Sequence, residues 1–324
     1  MMNVLIPDDY QGAAAAMPCL QMMAEHKVTC LGDLTREKQP DAILAQTECL
    51  VLIRERTPVD KALLGKMPNL RMISQTGPAG RHIDMEACTA AGVVVMEGTG
   101  SPHAPAELAW LLIMSGFRRL HEAVTAFQDG QWQVNSGREL HGRTLGILGF
   151  GKLGKRVAGF AQAFGMQVQV WGSERARAEA IEAGHTACET REAFFASSDV
   201  ITLHLRLADQ TRGAITFEDL SRMKPESMLV NTSRAELIAP GALERALRFG
   251  RPGYAAVDVY ESEPVYHRQH PLMQLPNVLC TPHLGYVAEQ SYDAYLRSAF
   301  GNILRFLSGD HSMVLNPGAL NRPG

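Results

Sequence analysis

Three short polar segments in the C-terminal third of the chain each follow a β-like apolar run. Asn231-Thr232-Ser233-Arg234 follows Met228–Val230, Asp258-Val259-Tyr260-Glu261-Ser262-Glu263-Pro264 follows Tyr254–Val257, and Thr281-Pro282-His283-Leu284-Gly285 follows Val278–Cys280. The carboxyl ends of parallel strands are where open α/β sheets assemble their sites. The planar fork of an arginine matches a carboxylate and can polarise a neighbouring carbonyl oxygen. A histidine exchanges a proton near neutral pH, and a carboxylate beside it orients the imidazole and stabilises its cation. Arg234, Glu263 and His283 supply one of each. Together they suit proton transfer at an oxygen next to a carboxylate. Taken singly, each has a plainer explanation: a surface ion pair for Arg234, a solvated turn for Glu263, and a structural role for His283, one of 11 histidines.

A glycine loop stands upstream of these segments. Gly149, Gly151 and Gly154 form G-x-G-x-x-G within Leu145–Gly154, with a β-run before and a helical pattern after. That context is what dinucleotide binding requires. The first glycine permits the tight turn, the second lets the backbone approach a pyrophosphate, and the third lets helix and strand pack closely. The phosphates then face the N–H groups of a helix N-terminus, here with Lys152 and Leu153 in its first turn. The next strand runs into Trp171-Gly172-Ser173-Glu174-Arg175. Glu174 lies 20 residues past Gly154, the spacing of a ribose-binding acid. Arg175 and Arg177 beside it could instead hold a 2′-phosphate, so the choice between NAD(H) and NADP(H) stays open. Solvated charges at a helix start would explain all three.

These residues need two α/β frames to position them. In the first hundred residues the strands are expected at Asn3–Ile6, Val28–Leu31, Cys49–Ile53, Leu70–Ser74 and Val93–Met96, with helices at Gly12–Glu25 and Asp60–Lys66 among them. Gly77-Pro78-Ala79-Gly80 follows the fourth strand, where such sheets bind ligands or merely turn. A Gly/Ser/Pro-rich crossing at Gly98–Ala106 leads into a long helix reaching about Phe127. A second series follows, with strands at Thr144–Leu148, Gln167–Trp171, Val200–Leu203, Met228–Asn231, Tyr254–Val257 and Val278–Cys280. Helices are expected between them at Leu153–Phe164, Arg175–Glu182, Arg191–Ala196, Phe217–Arg222 and Gly241–Arg248, and a last one at about Ala288–Leu307. Such alternation builds doubly wound parallel sheets by right-handed crossovers.

The 324 residues are too many for one ordinary core and suit two domains. Apolar residues at 46% and charged residues at 20% describe a folding globular chain. A net charge of −3 gives no electrostatic reason to expect nucleic acid or an anionic membrane. The opening MMNVLIPDDY lacks the basic and apolar regions of a secretory signal, and the apolar run Leu108–Met114 is far short of a membrane span. The six cysteines form no C-x-x-C pair. Reduced buried thiols in a cytoplasmic protein are expected, and no metal site.

The chain resembles the D-isomer-specific 2-hydroxyacid dehydrogenases over nearly its whole length. The resemblance rests on Gly142-Arg143-Thr144-Leu145-Gly146 running into the glycine loop, Ser198-Asp199-Val200 with Leu203-His204-Leu205, Met223-Lys224-Pro225 with Val230–Arg234, Asp258–Pro264 and Thr281–Gly285. It implies two Rossmann-like doubly wound α/β domains. A dinucleotide-binding domain, residues 102–288, would be inserted into a substrate domain made of 1–101 and 289–324, with the active site in the cleft between. It implies Arg234, Glu263 and His283 as the catalytic set, acting with NAD(H) or NADP(H) on a small 2-hydroxy/2-oxo acid. It also implies Asp258 near the nicotinamide carboxamide, and a homodimer. Cofactor contacts are then expected from Gly149, Gly151, Lys152, Leu153, Gly154, Ser173, Glu174, Arg175, Arg206, Thr232, Asp258 and Gly285, and substrate contacts from Arg54, Gly77, Ala79 and Gly80. Glu55, His82, His103 and Tyr286 are further candidates for lining the substrate site.

Three departures from the family pattern stand out. Gly172 occupies a position where the family often has Asp. Pro78 removes one N–H from the first-lobe turn, leaving Gly77, Ala79 and Gly80 as donors. His204-Leu205-Arg206 replaces a frequent His-x-Pro, and Arg206 could reach the cofactor or solvent. The rival expectations are a formate- or phosphite-type dehydrogenase of the same fold, and a dinucleotide-sensing regulatory protein without turnover.

Overall fold

The structure, a computed structural model, describes residues 1–321, so the last three residues of the expected 289–324 segment lie outside the described residues. The chain divides into two compact units, one comprising Met1–Ser101 and the chain from Ala288 onward, the other Pro102–Val287.

The first unit holds five parallel strands: β1 (Asn3–Ile6), β2 (Lys27–Cys30), β3 (Cys49–Leu52), β4 (Met72–Gln75) and β5 (Val94–Glu97), in the order β2-β1-β3-β4-β5. Every residue of β3 and β4 is buried, as expected of parallel strands covered on both faces. One cover comes from the far end of the sequence. Helix Glu289–Leu307 buries Tyr292, Tyr295, Leu296, Ala299, Phe300 and Ile303, a stripe at helical spacing. The buried Ser74 hydroxyl donates to the Ala299 carbonyl of that helix at 2.8 Å. The chain beyond it then closes the edge of β5. Leu315 donates its N–H to the Val95 carbonyl at 2.9 Å, and the Asn316 side chain accepts from Val95 N–H at 2.8 Å while donating to the Val93 carbonyl at 2.9 Å.

The second unit holds seven parallel strands: β6 (Thr144–Leu148), β7 (Gln167–Trp171), β8 (Thr186–Ala187), β9 (Val200–Leu203), β10 (Met228–Asn231), β11 (Tyr254–Val257) and β12 (Val278–Cys280). Their order is β12-β11-β10-β9-β6-β7-β8. The winding reverses between β6 and β9, and the crevice at the carboxyl ends of those two strands is the switch point where doubly wound sheets take ligands. Helix Lys152–Ala163 leaves the glycine loop after β6 and buries Val157, Ala158 and Ala161.

Two expected helices are broken. Gly12–Glu25 is a single helical turn, Ala13–Ala16, followed by a 3₁₀ segment, Pro18–Met23. Pro18 drives Met17 out of the helical region, to φ −72° and ψ 131°. The long helix from the domain crossing stops at Phe117, and a second one, Leu120–Gln128, starts after Arg119, which is left-handed at φ 51°. Arg119 ends the first helix in the manner usually reserved for glycine, its N–H bonding the Gly116 carbonyl at 3.0 Å. Helices Pro40–Gln46 and Met85–Ala90 and the two-residue β8 were not expected from the sequence.

Candidate active site

Strands β10, β11 and β12 end level with one another: Asn231 pairs with Val257, and Val257 with Cys280. The three polar segments therefore leave the sheet side by side, with the outer two separated by two strand spacings, about 10 Å. His283 donates from Nδ1 to Glu263 Oε2 at 2.5 Å, and Glu263 Oε1 accepts the Tyr260 N–H at 2.9 Å. With Nδ1 committed to a carboxylate, Nε2 is the nitrogen available for chemistry. The side chains of His283 and Glu263 keep 26% and 31% exposure, so the pair is sheltered yet reachable. The buried Tyr286 meets the imidazole edge-on, with ring centroids 5.4 Å apart.

Arg234 is half-buried on the loop after β10. The loop is braced by Asn231, whose side chain donates to the Arg234 carbonyl at 2.9 Å and accepts from Ser233 N–H at 3.0 Å, and by the Ser233 hydroxyl on the Leu203 carbonyl at 2.6 Å. Arg234 Nη1 donates to the Ser233 carbonyl at 2.6 Å, which sets the guanidinium's direction. Thr232 is half-buried on the same loop.

The glycine loop fits a dinucleotide on local geometry. Gly149 is at φ +95°, a conformation that side chains resist, and a Cβ there would lie 2.9 Å from the His204 carbonyl. At Gly154 a Cβ would run into the Gly149 carbonyl, so this glycine sets the helix–loop distance. At Gly151 a Cβ would meet nothing within 4 Å. No protein packing demands a glycine there, and the backbone is open to close approach. Gly151 opens helix Lys152–Ala163 with no side-chain cap, so the first-turn N–H groups face outward. Lys152 is exposed and Leu153 packs on the core. Beside the loop, His204 hydrogen-bonds Thr202 at 3.1 Å, and burial pulls its imidazole down to about 4. It is a neutral wall residue at physiological pH. Arg206, after β9, is exposed, as are Ser173, Glu174 and Arg175 after β7.

In the first unit Arg54 is left-handed at φ 54°, and its N–H donates to the Thr76 hydroxyl at 2.9 Å. Its guanidinium lies over the Tyr295 ring, 5.6 Å from the centroid, and over Gly77, where a Cβ would collide with Nη1. Gly77 is itself at φ +100°. Glu55 and His82 border Gly80, at 3.4 and 3.1 Å from where its Cβ would be. His103 is the exposed first residue of its helix. The Ala79 N–H, expected as a donor to substrate, already donates to Glu97 Oε2 at 2.7 Å. Among the described residues no cluster of side chains suits a metal ion.

Comparison with known proteins agrees with this geometry. The model of the D-isomer specific 2-hydroxyacid dehydrogenase NAD binding domain matches residues 110–285. A glyoxylate reductase of Aeropyrum pernix is 34% identical over 286 residues, covering 85% of this chain and 82% of the relative. A solved oxidoreductase from Ralstonia solanacearum superposes with a TM-score of 0.96 at 45% identity over 99% of both chains. The solved phosphoglycerate oxidoreductase of Vibrio cholerae O395 gives 0.92 at 48% identity, over 95% of this chain and 100% of that one. This chain belongs to the D-isomer specific 2-hydroxyacid dehydrogenases. It is an oxidoreductase that uses a nicotinamide dinucleotide with a small 2-hydroxy or 2-oxo acid.

The dehydrogenase has one site feature that residue types did not suggest. Asp258 is fully buried, and its carboxylate is taken up by the loop that carries His283. Oδ1 accepts from the Thr281 hydroxyl at 2.6 Å and from Leu284 N–H at 2.7 Å, and Oδ2 accepts from Gly285 N–H at 2.9 Å. Burial pushes this carboxyl above the usual range, while these hydrogen bonds and the nearby His283 pull it back. His283 is left-handed, at φ 53°, which costs a non-glycine residue about 1–3 kcal/mol. The Asp258 clamp supplies the bonds that offset it. In Asp258→Asn an amide NH₂ faces a backbone N–H and one hydrogen bond is lost, worth about 1–3 kcal/mol where buried. We expect kcat to fall about tenfold or more with unchanged circular dichroism; unaltered kcat would show that the clamp does not position His283.

Proposed function

We propose that Arg234, Glu263 and His283 carry out reversible reduction of a small 2-oxo acid to its 2-hydroxy acid. The observation that carries this reading is the 2.5 Å His283–Glu263 bond on strand ends level with the Arg234 loop. The nicotinamide, when bound, supplies or accepts the hydride at C2. Arg234 holds the carboxylate and polarises the carbonyl oxygen. His283, as imidazolium, passes the Nε2 proton to that oxygen as negative charge develops, and the neutral imidazole stays hydrogen-bonded to Glu263 through Nδ1. Oxidation runs these steps backwards, with His283 starting neutral. Gly149, Gly151 and Gly154 with the first turn after them seat the pyrophosphate. In the first unit Arg54, Gly77 and Gly80 are the proposed substrate contacts. Ala79, its N–H engaged by Glu97, contributes shape rather than a donor.

A panel of 2-oxo acids followed by nicotinamide absorbance, run once with NADH and once with NADPH, tests the reading. Turnover on at least one 2-oxo acid is expected. Cofactor binding with no turnover on any of them would favour a sensing role, and turnover on formate or phosphite alone a different reductant.

We further propose a cytoplasmic homodimer. Six free cysteines support a reducing compartment. The helix Leu120–Gln128 exposes Leu120, Val124 and Phe127 on one face, and Phe127 meets the 75%-exposed Trp132 at 5.9 Å between ring centroids. An apolar surface of that kind supports burial against a second copy. Light scattering should return twice the mass of one chain, falling to a single mass in Phe127→Asp/Trp132→Asp. Secretion of the native protein would refute the compartment.

A further inference from the structure

The end of β7 bears on which dinucleotide this dehydrogenase takes. Gly172 is the first residue after Trp171. It lies against the glycine loop, since Gly149 donates its N–H to the Trp171 carbonyl at 2.9 Å and a Cβ on Gly172 would sit 3.7 Å from Gly149 Cα. A carboxylate at this position would reach the adenosine ribose and accept from its two hydroxyls. The same carboxylate would repel a 2′-phosphate. Gly172 provides neither the acceptor nor the repulsion.

Two of the three charges that follow within five residues have the opposite sign. Ser173 caps helix Glu174–Glu182, its hydroxyl accepting from Ala176 N–H at 3.3 Å. Arg175, 88% exposed, has only a loose 3.6 Å contact to Glu179, a carboxylate already engaged by Lys155 at 2.9 Å. Arg177 is pinned with its guanidinium over the Trp171 ring, 5.0 Å from the centroid. Its Nε is buried without a hydrogen-bond partner. Glu174 has the spacing of a ribose acid but is the exposed first residue of the helix, where a carboxylate is favoured by the dipole alone.

We propose that this enzyme prefers NADP(H), with Ser173, Arg175 and Arg177 receiving the 2′-phosphate beside Gly172, which carries no carboxylate to repel it. The preference rests on the dinucleotide site and is independent of the roles of Arg234, Glu263 and His283.

Calorimetric titration of the whole protein tests it without turnover. NADPH should bind about tenfold or more tightly than NADH, as a charge-assisted contact to one phosphate provides. Adenosine 2′,5′-bisphosphate should likewise bind better than adenosine 5′-monophosphate. Arg175→Ala, at an exposed position that cannot unfold the helix, should weaken NADPH about tenfold and NADH less than about twofold. Gly172→Asp should reverse the order of the two cofactors. Equal affinities, tighter NADH, or a Glu174→Gln variant that loses NADH binding would overturn the preference alone. Failure of both dinucleotides to bind would overturn it together with the site.

Discussion

Replacing His283 by alanine is expected to lower kcat by about 10²–10⁴-fold in both directions, the usual contribution of a positioned general acid–base. The variant should fold normally and titrate the cofactor as the parent does, because the imidazole's bond is to Glu263 and not to the glycine loop. Glu263→Gln should cost less. Its amide oxygen can accept from His283 Nδ1 only by turning the NH₂ toward the Tyr260 N–H, and it removes the negative charge that stabilises the imidazolium. Combining the two substitutions should cost little more than His283→Ala alone, since residues that act as a unit are strongly non-additive. Near-parental kcat in His283→Ala would end the assignment of this histidine as proton donor.

Truncating Arg234 should act on a different constant. A guanidinium that grips the substrate carboxylate and also polarises the carbonyl works in both ground and transition states, so kcat/KM should suffer most. The loss expected from removing such a charge pair is about 2–4 kcal/mol, or roughly 30- to 1,000-fold. Arg234→Lys should recover only part of it, because an ammonium offers a point charge where the fork offered two parallel bonds. The bracing of the loop joins the Asn231 and Ser233 side chains to backbone atoms of Ser233, Arg234 and Leu203 and uses no atom of the Arg234 side chain, so it survives both substitutions. A variant whose KM for the oxo acid and kcat both stay within about threefold of the parent would remove Arg234 from the substrate site.

Much of this arrangement is legible in the sequence because it depends on short-range pattern. Strands such as β6 and β10 are compact apolar runs followed at once by glycine or polar residues, and the G-x-G-x-x-G loop carries its own structural context. The breaks at Met17 and Arg119 are less visible. Pro18 gives a warning that the alanine-rich run around it obscures, and nothing in the residue type of Arg119 announces a left-handed conformation. The harder losses come from contacts between distant segments. The Asp258 carboxylate accepts from a hydroxyl and two amides 23 to 27 positions further on. The Ala79 N–H is claimed by Glu97, 18 residues later. No local periodicity encodes either pairing. Only the folded loops bring the partners together.

The two-piece first unit has a consequence for how the protein is made. Its five strands are all encoded by Glu97, but the helix that covers β4 through Ser74 and Ala299 begins only at Glu289. About 190 residues separate the two, which at a ribosomal rate of roughly 5–20 residues per second is about 10–40 s of synthesis. During that interval the inserted unit, contiguous in sequence, can complete its own sheet, while the earlier-born sheet waits with an apolar face bare and the edge of β5 open. The sheet that is synthesised earlier is therefore the one covered last.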